Sequence, residues 1–456
     1  MVGRALPYEK IAFSVLSAVA LGHALQLNNG VYSDEALIWL GVGLGLGMMA
    51  LLLPEKLYLN RSGEMLCRSL IAAGMFWQLC SLLSTSPGFY LRPLDPSVFI
   101  FGVVAAAMLS GSVLSNSATG SSGLQVWIGR FRFPILLAVF VMVGVWLIQA
   151  SPAPVIDVDR FQRIGLDALL KGQNPYRAIY PNIYLNNDFY GEGMSVNGRL
   201  TFGFPYPPLS LLLALPGHLL GDYRYAQLAA LVLSGALIAY ARPHPLSEAL
   251  VVLFFFTPRV FFVLEQGWTE PFVLLTFSAF IFSLLRYPRT APWIFGLALA
   301  SKQYVFLMVP LLPLIWNAKA AGIVLAKAMV IAVLVTIPLA LWSLPNFFSS
   351  VVTLHFKQPF RLDALSLLAW LAREGFKPSP TLCGFGALTT IIIVAHLRRL
   401  KGAGNFTLAS AMAFFGFFVC NKQAFCNYYF LVIGLLCISA AIATEVGREK
   451  TGKVSA

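Results

Sequence analysis

Charge is scarce in this sequence. Lys and Arg number 32 and Asp and Glu 19, only 11% of 456 residues, while 58% are hydrophobic. Soluble domains carry about 25% charged residues, so a water-facing surface covering this much apolar side chain is excluded. Lipid as solvent removes the difficulty, because apolar residues can then face outward. Metal-type cysteine spacing is missing too. Cys67, Cys80, Cys383, Cys420, Cys426 and Cys437 form no CxxC and no Cys/His pattern, lie mostly in or beside apolar runs, and read as small core residues. The net charge of +13 sits in short basic clusters between apolar runs. That distribution marks topology determinants rather than a nucleic-acid surface, so no nucleic-acid partner is expected.

What is abundant is apolar runs. A spanning helix needs about 20 residues, and candidates fall at 11–27, 36–53, 69–86, 98–115, 134–150, 225–241, 250–264, 272–285, 293–301, 305–316, 328–344, 383–396, 406–420 and 428–443. The first is followed by Asn28-Asn29-Gly30 and another apolar run, with no small-residue cleavage site, and reads as a helix. The expectation is an all-α polytopic membrane protein of about 14 transmembrane helices, with juxtamembrane helices on the outer face.

Basic residues orient this layout. With the N-terminus cytoplasmic, the inner loops carry Lys56, Arg61 and Arg68; Arg130 and Arg132; Arg242; Arg286 and Arg289; Lys319 and Lys327; Arg398, Arg399 and Lys401; and a tail with Arg448, Lys450 and Lys453. The opposite short loops are poor, residues 28–35 having no Lys or Arg and 87–96 only Arg92. Both termini are thus expected inside a cell membrane, and the long polar and aromatic stretch 151–205 outside. The run 207–220, with Pro216-Gly217 inside it, is too short to span, and reads as an interfacial or re-entrant helix on the outer face.

Within the outer stretch, Phe161, Ile164, Ala168 and Leu169 keep a helical spacing while Arg160, Gln162, Arg163, Asp167 and Lys171 fill the other face. Gly172 and Asn174-Pro175 stop that helix. Asp157 and Asp159 therefore stand at its start, at headgroup level. Two readings stay open for them: helix capping by charge against the dipole, or chemistry on a lipid-linked substrate.

The stretch Asp157-Val-Asp-Arg-Phe…Ala168-Leu-Leu-Lys-Gly172-Gln-Asn-Pro-Tyr176 resembles the first outer loop of GT-C-fold glycosyltransferases, most nearly the polyprenyl-phosphate-mannose-dependent mannosyltransferases. Tyr206-Pro-Pro-Leu209, Phe256-Thr-Pro258…Glu265-Gln266-Gly267 and Gly296-Leu-Ala-Leu-Ala-Ser-Lys302 are similar to later segments of that fold, in the same order. The likeness covers about residues 134–344, so the chain divides into four extra N-terminal helices (1–133), a GT-C-like module with an outer loop at 151–224 (134–344), and an outer loop with C-terminal helices (345–456).

The resemblance implies transfer of one sugar, mannose in that branch, from a polyprenyl phosphate to an acceptor hydroxyl on a glycan or lipid, with inversion, among membrane lipids. By family register Asp157 is the general base, with Asp159 its rival. Lys302 meets the donor phosphate or merely snorkels. Glu265 and Gln266 contact acceptor or metal, or form an ordinary polar turn; a divalent metal is left open, and no cofactor is otherwise expected. Arg160, Arg163 and Tyr206 join the substrate site. So do His355, Lys357 and Arg361 of the outer loop 345–382 and Lys422 before the last helix. Lys-Gln recurs at 302, 357 and 422, as a shared anionic site would require or as coincidence allows. Tyr184, Asn186, Asn187, Tyr190 and Asn197 offer sugar-like contacts without a motif. No P-loop or nucleotide-sugar domain is found, which argues against a soluble nucleotide donor. The rival classes are a lipid-linked sugar flippase, which would place charges mid-membrane on broken helices, and a polysaccharide polymerase or ligase, which would take a lipid-linked oligosaccharide.

Overall fold

The computed structural model describes residues 7–54, 61–114, 123–184 and 189–443, without the side chains of 61–62 and 112–129. Of the residues singled out above, Lys56, Ser115, Asn186, Asn187, Arg448, Lys450 and Lys453 lie outside them, as does the side chain of Arg61.

Apolar runs become helices wherever caps and prolines allow. The N-terminal quarter is α1 (Tyr8–Asn28), α2 (Asp34–Leu52), α3 (Arg61–Ser84) and α4 (Ser97–Leu114). Ser33 starts α2 by accepting a hydrogen bond from the Ala36 N–H, so satisfying one of the orphan donors of the first turn. Next come α5 (Gly123–Ala150) and the amphipathic α6 (Asp157–Leu170). Gly172, at φ +66°, follows α6 as the sequence predicts. A two-stranded antiparallel hairpin pairs Ser195–Val196 with Arg199–Leu200, and α7 (Pro208–Leu219) follows.

The central helices are α8 (Arg224–Ala241), α9 (Pro245–Phe255), α10 (Val260–Gln266), α11 (Glu270–Arg286), α12 (Ala291–Ser301), a 3-10 segment (Gln303–Leu314) and α13 (Ala318–Trp342). Short α14 (Leu344–Phe348), a π turn (Ser349–Thr353), α15 (Leu354–Lys357) and α16 (Leu367–Arg373) lead to α17 (Pro380–Leu397), α18 (Ala403–Val419) and α19 (Cys426–Ala443).

Among the described residues, eight helices are long and apolar enough to cross a membrane; α9 and α10, bent by 53° at the break between them, make a ninth if they are one span. The chain is an all-α, membrane-spanning protein. Arg259 sits in that break at φ +71° and donates to Ser86 O at 2.9 Å. The broken span is thereby tied to the end of α3. Run 207–220 is not a full span but the 12-residue α7, packed on α6, α8, α12 and α13.

The apolar core is continuous from Ile11 to Ala443. Helix α19 is its axis, 94% of its apolar window being buried, whereas α13 and α17, at 22%, present their apolar sides outward. Helix α1 packs on both α2 and α19. A second, smaller core lies under the outer stretch and holds Phe161, Leu166, Tyr176, Tyr180, Phe202 and Phe204. It fixes α6 against α7.

Candidate functional site

A cavity of about 1140 Å³ opens at the end of the bundle where α6, α10, α15 and the turn between α18 and α19 meet. Of the residues singled out in the sequence, Asp157, Tyr184, Tyr190, Tyr206, Gln266, Lys302, His355, Arg361 and Lys422 all line it. They come from segments nearly 270 residues apart, so the fold, not local sequence, assembles them.

Asp157 is the first residue of α6. Its Oδ1 accepts from the Val158 N–H at 2.8 Å and its Oδ2 from the Tyr190 hydroxyl at 3.0 Å. Burial pushes its carboxyl above the ordinary range, and the Tyr190 and Val158 hydrogen bonds and the nearby Arg361 oppose that shift without cancelling it. A weakened acid of this kind holds a proton more readily than a surface aspartate does, as a general base must.

Lys302 ends α12. Its Nζ donates to Thr269 Oγ1 at 2.6 Å and to Glu270 Oε1 at 2.8 Å, and stands 4.5 Å from the centre of the Tyr206 ring. Tyr304 donates to the same Glu270 oxygen at 3.1 Å, while Glu270 Oε2, also buried, has no protein partner. Glu270 was not singled out in the sequence. An acid in the first turn of a helix beside Pro271 reads as dipole compensation, and only its pairing with Lys302 shows otherwise.

Arg361 is held in a bidentate pair with Asp363, at 2.7 and 2.6 Å, and its guanidinium lies 4.1 Å from the Phe189 ring centre. Lys422 differs from both other cations. Among the described residues it bonds only carbonyls, those of Phe356 and Gln358, and no carboxylate. Burial lowers its ammonium. An anion entering the cavity would therefore find its charge uncompensated at Lys422. Beside it, His355 shares a 3.0 Å contact between Nε2 and the Gln303 amide nitrogen. Burial, with Lys302 and Lys422 nearby, pushes its imidazole down to about 4, so it is neutral at pH 7.

Five expected site residues are not on the cavity wall. Asp159, 1% exposed, turns away and accepts from Arg163 Nε at 2.8 Å. Arg163 also binds Asp222 at 2.9 Å, and Asp222 holds Arg224. That chain ties α6 to the start of α8 and leaves both Asp159 and Arg163 off the cavity wall. Arg160 is half-buried and Lys357 exposed, both off the wall. Glu265 is fully buried, and its carboxylate accepts the Phe89 and Tyr90 N–H groups at 2.6 and 2.7 Å. It is spent on the turn after α3, while its neighbour Gln266 faces the cavity. Gly267 closes α10 just beyond them at φ +68°, and a Cβ there would lie 2.0 Å from the Tyr223 hydroxyl. Among the described residues no three His, Cys, Asp or Glu side chains gather as metal ligands.

The wall has contributors that the sequence did not announce. Asn29 and Val31 come from the turn between α1 and α2, and Phe89 and Tyr90 from the turn after α3. No protein family, curated protein or solved structure matches the chain.

Proposed function

We propose that this protein is a membrane glycosyltransferase that moves a single sugar, mannose by the resemblance of its motifs, from a polyprenyl phosphate to an acceptor hydroxyl. The observation that carries the reading is one cavity holding a proton-accepting carboxylate, Asp157, together with an uncompensated cation, Lys422, among phenols and amides suited to sugar hydroxyls. Asp157 takes the proton of the acceptor hydroxyl as its oxygen attacks the anomeric carbon. The bond from that carbon to the phosphate oxygen breaks, the configuration inverts, and polyprenyl phosphate leaves. The negative charge that develops on the phosphate is met by Lys422, with Lys302 and Arg361 contributing through pairs already neutralised by Glu270 and Asp363. The orientation belongs to the same reading: basic loops inside, cavity on the outer face. So does the count of about 14 spans, which adds α4, α11, α12, the 3-10 segment and α18 to the nine long enough by themselves.

The break between α9 and α10 favours a second reading, because transporters build their sites on broken helices. A flippase would move a lipid-linked sugar across proteoliposomes without forming a new glycosidic bond. The deciding experiment supplies membranes with radiolabelled polyprenyl-phosphate monosaccharides and compares wild type with Asp157→Asn. Loss of a general base predicts a rate lower by about 10²–10⁴ with insertion unchanged. Full transfer by Asp157→Asn refutes the assignment.

A further inference from the structure

Helices α1 to α4 lie outside the stretch that resembles glycosyltransferases, yet both of their cavity-side turns are built into the cavity wall. The turn between α1 and α2 is fixed by a bridge from Val31 to Ala364 and by the Tyr32 N–H donating to Asp363 O at 2.9 Å. The turn after α3 is fixed more firmly. Glu265 accepts the N–H groups of Phe89 and Tyr90. Gly88 lets the carboxylate approach, since a Cβ there would lie 2.6 Å from Glu265 Oε1. The Tyr90 hydroxyl donates to Val155 O at 2.8 Å, two residues before Asp157, and the Arg92 N–H donates to Ala150 O at 2.8 Å.

This fastening has an odd product. A fully buried carboxylate holds a two-residue aromatic turn in which Phe89 stays 65% exposed on the cavity wall. The Phe89 and Tyr90 rings meet edge to face at 5.0 Å and 80°, so Tyr90 braces the Phe89 ring, which by itself supplies the exposed apolar plane. Aromatic planes of this sort pack against the C–H face of a sugar ring, and the polar rim around this one can take its hydroxyls. The plane lies on the side of Asp157, whereas Lys302 and Lys422 belong to the walls formed by α12 and the turn between α18 and α19.

We propose that Phe89 and Tyr90 form a stacking platform for the sugar ring of a glycan acceptor, so that the N-terminal helices select what is glycosylated. Which side of the reaction the platform serves rests on the transferase reading; that it binds a sugar does not. Glu265 is a positioning residue in this arrangement, acting only through the turn it holds.

The test uses the full chain in nanodiscs and saturation-transfer NMR with the methyl glycosides of mannose, glucose, galactose and arabinose. Wild type is expected to saturate the ring protons of at least one. Phe89→Ala is expected to weaken that glycoside about tenfold, and Phe89→Trp to keep it. No saturation by wild type, or equal affinity in Phe89→Ala, overturns the platform and leaves Phe89 an interfacial lipid anchor. A kinetic arm separates the two proposals. If glycosides bind through Phe89 but wild type transfers no polyprenyl-phosphate sugar, the transferase reading fails and the platform stands. If transfer proceeds and Phe89→Ala leaves the acceptor KM unchanged, the platform fails and the transferase reading stands. With both correct, the acceptor KM rises about tenfold while kcat and the donor KM hold.

Discussion

The Lys302–Glu270 pair separates what the fold needs from what the cavity needs. Lys302 is 5% exposed and Glu270 not at all. Removing one partner strands the other as a buried charge, and such losses run to about 3–5 kcal/mol. In Glu270→Ala the ammonium keeps the Thr269 hydroxyl and the Tyr206 and Tyr304 rings but no carboxylate. In Lys302→Met the carboxylate keeps only the Tyr304 hydroxyl. Replacing both charges by apolar groups of similar volume is by contrast close to neutral for a buried pair. Thermal unfolding in detergent, followed by near-ultraviolet circular dichroism, should therefore rank Lys302→Met and Glu270→Ala well below wild type. The double variant Lys302→Met/Glu270→Leu should recover most of the difference. Sugar transfer should not recover with it, because the cavity has lost a cation beside the phenols of Tyr206 and Tyr304. A double variant no more stable than the singles would refute the account of the pair. A double variant that transfers sugar at the wild-type rate would refute a role for Lys302 in the cavity.

Two other outcomes follow from the same geometry. His355 titrates near 4 in the folded chain and near 6.5 when unfolded, so between those values the unfolded chain binds the extra proton. Stability then falls as pH drops from about 6.5 toward 4, by at most ~3 kcal/mol for this one group. Unfolding midpoints measured from pH 7 to 4.5 should decline less steeply in His355→Gln, and an equal decline in both would remove His355 as the cause. Asp159→Asn should cost about 1–3 kcal/mol of stability by weakening its bond to Arg163, yet leave transfer within a few-fold of wild type. A folded Asp159→Asn protein without transfer activity would return Asp159 to the site.

Periodicity was enough to read α6. Phe161 and Ala168 of the expected apolar face are buried, Ile164 and Leu169 partly so, and the positive-φ Gly172 follows as the stop signal requires, but Gln162, expected on the polar face, is fully buried. The membrane character was legible as well, since runs of apolar residues need no tertiary context. What could not be read was direction. Asp157 and Asp159 are two residues apart on a helix, about 200° around its axis, so one faces the cavity and the other the ion-pair chain, and no local rule says which. Glu265 and Gln266 diverge for the same reason. Glu270 and the Phe89–Tyr90 turn were missed because their meaning depends on partners 32 and 175 or more residues away.

The recurring Lys-Gln pairs show how a repeated signal can be real without meaning what it suggested. A shared anionic site would need all three lysines in the cavity, and Lys357 is exposed and off its wall. The glutamines are the more consistent half. Gln303 donates to Pro205 O and Val351 O at 3.0 Å, and Gln423 donates to Pro359 O at 3.3 Å. Gln358 offers its own carbonyl to Lys422. All but the bond to Pro205 O land on or leave residues 351–360, which comprise the end of the π turn, α15 and the loop after it. Buried carbonyls must be paired, and here side chains from α12's end and from the turn before α19 pair them. The repeat thus fastens the segment bearing His355 to both walls of the cavity. Of its lysines only Lys422 reaches the cavity without a carboxylate attached, which makes it, rather than Lys302, the residue whose charge is left for an incoming phosphate.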